Sequence, residues 1–133
     1  MLNKKAGFTL IEILITIVVL SVIAGLAVPN YFSTVEQARS NEARVNLQII
    51  RMGQKVYALN NGAYWNPGAN PTVNAVNAAL NTDITGTPST TSTIQYFNII
   101  SINTTQAQVR RNTVQGGNNT TTYTINYATG AIT

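Results

Sequence analysis

Residues 4–20 read KKAGFTLIEILITIVVL, and the stretch carries an internal conflict. Two lysines and a glycine lead into an apolar run, yet Glu12 lies inside that run. From Phe8 to Val28 there are 21 consecutive residues with a single charge. At about 1.5 Å per residue they make a helix of roughly 31 Å, matching the ~30 Å hydrocarbon core of a bilayer. A carboxylate in hydrocarbon costs about 2.5–3.5 kcal/mol or more and usually has a partner. Two ordinary readings fail to supply one. A secretory signal peptide has an apolar core of about 7–15 residues, shorter than this run, although Gly25-Leu26-Ala27 would pass as a small-residue cleavage site. A plain membrane anchor accounts for the length and leaves Glu12 unexplained. Lys4 and Lys5, just before the run, orient the N-terminus toward the cytoplasm and the remainder across the membrane.

The residues Ala6-Gly7-Phe8-Thr9-Leu10-Ile11-Glu12 resemble the N-terminal motif of type IV prepilins and the related pseudopilins. In that family a membrane peptidase cuts after the glycine and methylates the new N-terminal residue. The resemblance implies a leader of residues 1–7, a cut between Gly7 and Phe8, and a methylated Phe8. It also implies a role for Glu12, which would pair with the N-terminal ammonium of Phe8 in a neighbouring subunit as that subunit enters a fibre. The physics of the pairing is coherent, because each charge is expensive alone in a low dielectric and tolerable with the other. The likeness is tight over the first thirty residues or so, fair through residue 62 and weak beyond.

Gly25 and Pro29 close the apolar segment, 8–29. Proline removes a helical hydrogen bond and glycine has low helix propensity, so both mark a place where the helix is expected to kink, or to melt when packed in a filament. Residues 30–62 turn amphipathic. Positions 31, 35, 38, 42, 45, 49, 52, 56 and 59 alternate steps of four and three, and all but Glu42 are apolar or aromatic. The spacing predicts one helical face against a partner surface, and the head domain is the expected partner, with a free-standing coiled coil as the competing idea. Asn60-Asn61-Gly62 supplies the stop.

The head, 63–133, reads as loop, short helix and sheet. Asn66-Pro67-Gly68 and Asn70-Pro71 mark a loop, and Val73, Val76 and Leu80 have helical spacing. Thr85–Thr93 reads as an exposed connector. Strands are expected over Ile94–Ile102, Thr105–Asn112 and Thr121–Tyr127, with a Gly-Gly turn at Gln115–Asn119 and a short final edge after Ala128. The expected fold is therefore α+β: a long N-terminal helix packed on a small antiparallel sheet.

Composition excludes much chemistry. The 133 residues contain no cysteine or histidine and only four carboxylates, so disulfides, thiol catalysis and common zinc or haem sites have no residues to build them. Asp83 is the only acidic side chain in the head, which leaves no acid/base pair, no catalytic residue and no expected cofactor or metal. Major pseudopilins of type II secretion commonly carry an acidic calcium loop near the C-terminus, and many type IVa pilins a C-terminal disulfide. This chain departs from both patterns. The net charge of +4 is weak support for nucleic acid as a partner, and Arg110-Arg111 on a strand would point to opposite faces as exposed charges. Tyr57, Tyr64 and Trp65 are expected to pack the core and its loop. Asn103-Thr104-Thr105 and Asn119-Thr120-Thr121 match the N-glycosylation pattern, as chance allows in so Asn/Thr-rich a chain.

The expectation is a non-enzymatic filament subunit, first of all the major subunit of a type IV pilus serving adhesion, motility or DNA uptake. A pseudopilin of a type II secretion or competence system is the alternative, and a secreted binding protein with an ordinary signal peptide a distant one. The implied partners are copies of itself, the prepilin peptidase, the assembly platform and the bacterial cytoplasmic membrane. The precursor would sit in that membrane and the product in an extracellular filament.

Overall fold

A computed structural model describes residues 7–84, 93, 94, 96–111 and 121–133. The Gln115–Asn119 turn, the Asn119 glycosylation pattern and all of the connector but Thr93 lie outside those residues, as does the leader ahead of Gly7. The chain divides into two compact units, the first ending at Ala38 and the second spanning Arg39–Thr133.

The dominant element is α1, Leu10–Asn61, whose helical assignment runs without a break through Gly25 and Pro29. It is long and apolar enough to cross a membrane, by length and composition. Every described side chain from Phe8 to Thr34 is exposed. The helix ends where Gly62 takes φ +77, a left-handed conformation that glycine adopts at little cost, and its N–H closes on the Ala58 carbonyl at 2.9 Å.

In the second unit, α1 is followed by β1 (Gly68–Ala69), α2 (Val73–Leu80), β2 (Thr93–Ile94), β3 (Phe97–Ile102), β4 (Gln106–Arg111) and β5 (Thr122–Asn126). The α+β expectation holds, with an antiparallel sheet ordered β1-β3-β4-β5 and β2 also pairing with β3. β1 falls in a segment expected to be loop, because two residues after a proline carry no readable alternation. Thr72 caps α2 by accepting a hydrogen bond from Ala75 N at 3.2 Å, and Asn81 ends it in the left-handed region.

The sheet alternates as a half-buried sheet should. On β4, Ala107, Val109 and Arg111 are buried while Gln106, Gln108 and Arg110 are half-buried. On β3 the register shifts between Ile99 and Ser101, and this extra residue lets Ile99 and Ile102, three apart, both reach the core. The final short edge appears as a bridge between Ile125 and Ile132.

The core joins Ala43, Leu47 and Ile50 of α1 with Val73, Val76 and Leu80 of α2 and the inner faces of β3, β4 and β5. Tyr57, Tyr64 and Trp65 pack against it, as expected. The expected stripe on α1 is not the face that the head covers. Val45, Met52, Val56 and Leu59 are 54–86% exposed, whereas Ala43, Asn46, Leu47, Ile50, Gly53 and Gln54 are buried. Small size decides this. A Cβ on Gly53 would lie 2.8 Å from Leu80 Cβ and 2.8 Å from Thr82 Cγ2, so only glycine lets the end of α2 approach α1. Gln54, fully buried, accepts from Trp65 N and donates to Trp65 O, both at 2.9 Å, and so closes the loop after the helix.

Arg111 corrects a second expectation. It is only 2% exposed, because its position on β4 faces the core, and its guanidinium lies over the rings of Tyr96 and Phe97 at 5.6 and 5.5 Å. The doublet with Arg110 is split between faces, as the strand periodicity requires, but only one of the two is near solvent.

Candidate functional site

The candidate site is the start of α1. Gly7, Phe8 and Thr9 precede the helix in irregular backbone, and Phe8 is 81% exposed. Nothing within 4 Å would meet a Cβ placed on Gly7, and φ there is unexceptional, so the fold itself gives no reason for glycine.

One turn on, Glu12 has a partner within its own chain. Glu12 Oε2 accepts from the backbone N–H of Thr9 at 2.8 Å and from the Thr9 hydroxyl at 2.9 Å. Thr9 Oγ1 in turn accepts from Glu12 N at 3.3 Å. This is a capping box, satisfying donors at the helix N-terminus that no carbonyl within the helix can reach. A carboxylate here also meets the positive end of the helix dipole. The expectation for Glu12 concerns only a neighbouring subunit. The spacing Thr-x-x-Glu before an apolar run carries the local role as well and was open to reading from the residues alone.

Helical hydroxyls deal with their polarity in the same local way. Thr16 Oγ1 donates to the Ile13 carbonyl at 2.8 Å and Ser21 Oγ to the Val18 carbonyl at 2.7 Å. The face offered by Leu10–Val28 is thereby apolar throughout, apart from Glu12. Gly25, like Gly7, has open space where a Cβ would sit, so no contact among the described residues explains it. The helical assignment continues through Gly25 and Pro29.

No group of three or more His, Cys, Asp or Glu side chains is placed together among the described residues. The aromatic rings nearest the arginines of the head are already engaged. Arg39 lies 4.6 Å from the Tyr96 ring centre and Arg44 lies 5.3 Å from that of Tyr123, whose hydroxyl donates to Ser40 Oγ at 2.9 Å. The arrangement braces the head against α1.

The family model for the prokaryotic N-terminal methylation motif matches residues 2–28. The chain is 37% identical over 62 residues to type II secretion system core protein G of Pseudomonas aeruginosa, covering 47% of this chain and 44% of that protein. The corresponding Escherichia coli protein is 36% identical over 62 residues, covering 47% and 43%. Type IV major pilin protein PilA of Myxococcus xanthus is 32% identical over 54 residues, covering 41% and 24%. The chain thus spans less than half the length of these relatives, and no solved structure matches it. It carries the prepilin-type N-terminal methylation motif and, over just under half of its length, is similar to type II secretion core protein G and to a type IV pilin.

Proposed function

We propose that the chain is a non-catalytic structural subunit of a helical filament assembled from the cytoplasmic membrane. A prepilin peptidase would cut after Gly7 and methylate Phe8, and Glu12 would then pair with the Phe8 ammonium of a neighbour during docking. The observation that carries this reading is the prepilin motif followed by an exposed apolar segment, residues 8–28, that keeps a single carboxylate. The exposed Val45, Met52, Val56 and Leu59 support it, since a second apolar surface left open by the head suits packing among copies.

Two filaments are in contention. A pseudopilus of a secretion system has at least as much support as an external pilus, because type II secretion core protein G from several species is among the relatives. The likeness to PilA favours a pilus. Mass spectrometry of the N-terminal peptide, in material sheared from cells and in membranes, separates them. Abundant sheared protein beginning at methylated Phe8 supports a pilus. The same processed chain confined to membranes supports the pseudopilus. A soluble chain beginning near Val28 overturns both.

A further inference from the structure

The Arg51 side chain ties the last turn of the head to α1. Arg51 Nε donates to the Tyr127 carbonyl at 3.0 Å and Nη2 to the Ala128 carbonyl at 3.4 Å. The same turn is closed by Gly130 N on the Asn126 carbonyl at 2.8 Å, and Asn126 Oδ1 accepts from Ala128 N and Thr129 N at 2.9 and 3.1 Å. Backbone and amide oxygens gathered on one short turn are the kind of ligand that calcium takes. The cation placed against this turn is instead a guanidinium.

Gly130 is shaped to receive it. The residue has φ +76, and a Cβ there would lie 2.8 Å from Arg51 Cζ and 2.9 Å from Nη1. The guanidinium therefore rests against the bare Cα of Gly130 while its donors reach the two carbonyls. A divalent ion brought to those carbonyls would have to displace a resident positive charge that it repels. The four carboxylates of the chain, Glu12, Glu36, Glu42 and Asp83, all precede the turn by more than forty residues in sequence, and the described residues gather no cluster of acidic ligands.

We propose that Arg51 is a built-in cation that locks the C-terminal turn, and that it makes the folding of the head independent of calcium. The proposal concerns the head alone and stands or falls apart from the filament reading.

The test uses the full-length chain in detergent, with thermal unfolding and amide hydrogen exchange measured in excess calcium and in excess chelator. The wild-type melting temperature is expected to be the same in both. In chelator, Arg51→Ala should lower protection of the Gly130 and Asn126 amides by about ten- to a hundredfold, the range for a hydrogen bond from a charged donor. Gly130→Ala adds backbone strain of its own, so its effect is read in both backgrounds. It should cost less protection in Arg51→Ala than in wild type, because the guanidinium it would displace has gone. If Arg51→Ala does not fold, Arg51→Lys supplies the same comparison with the fork removed. A wild-type melting temperature that falls on chelation would overturn the proposal, as would strict additivity of the two substitutions.

Discussion

Thr9 and Glu12 hold each other at the first turn of α1, through hydrogen bonds of 2.8, 2.9 and 3.3 Å. The carboxylate that an assembling filament would use is thus already engaged in capping its own helix. On the proposed reading, docking would not meet a bare charge; it would have to offer Glu12 a better or an additional partner.

Substitutions at position 12 separate the two roles. Glutamine serves in a capping box nearly as well as glutamate but carries no charge. Glu12→Gln is therefore expected to keep the helix start and lose the proposed intersubunit ion pair, while Glu12→Ala loses both. Thr9→Val removes the hydroxyl and leaves the charge. Leader cleavage should persist in all three. If charge pairing drives assembly, sheared or membrane-extracted fibres are lost in both Glu12 variants and reduced less in Thr9→Val. Fibres made normally by Glu12→Gln alone would confine the residue to capping.

On the proposed reading, Gly7→Val is expected to leave the precursor folded, because open space surrounds the position, and uncut, because the peptidase would require a small residue there. The retained leader is read directly by mass. A processed Gly7→Val chain in filament-bearing cells would move the cut elsewhere.

The class of fold was legible because its signals are long. A 21-residue apolar run, a helix stop at Asn61-Gly62 and alternating β-formers each persist over many residues. The docking face of α1 was not, for a physical reason. A hydrophobic count favours the stripe through Val45, Met52 and Val56, but the head needs close approach, and that is supplied by Ala43 and Gly53 beside Leu47 and Ile50. It also buries Asn46 and Gln54, which hydropathy would assign to water. Gln54 is admitted because both ends of its amide find the Trp65 backbone. Arg111 misleads likewise, since a charge looks exposed until aromatic rings are placed around it. At the candidate site, Gly7-Phe8 and Glu12 stand out as a motif, whereas the hydrogen bonds from Thr9 need coordinates to measure.

Gly53→Ala tests the close approach. Alanine is the better helix former by about 1 kcal/mol, so propensity alone predicts a gain. Contacts of 2.8 Å to Leu80 Cβ and Thr82 Cγ2, with Leu80 O at 3.0 Å, predict a loss, since overpacking typically costs about 1–3 kcal/mol. We expect the steric effect to win, because Leu80 is itself buried and cannot swing away. Thermal unfolding of the full chain decides the sign, and a higher melting temperature would mean that α2 yields.

Glu42 gives the pH dependence. Partial burial holds its carboxyl above the usual carboxylate range, and the positive charge of Arg111 opposes that shift without cancelling it. A carboxyl raised on folding binds its proton more tightly in the folded state than in the unfolded one. The folded state is therefore favoured at pH values below the ordinary carboxylate value of about 4.3, and this contribution is lost as pH rises through the folded value. At neutral pH the ionised, half-buried group is a small liability. Glu42→Gln should then be slightly more stable than wild type at pH 7, with the difference closing as the solution is acidified below the carboxylate range. Denaturant unfolding of both chains at a series of pH values checks this. A variant less stable at pH 7 than at acid pH, relative to wild type, would show that attraction between Glu42 and Arg111 outweighs the desolvation that burial imposes.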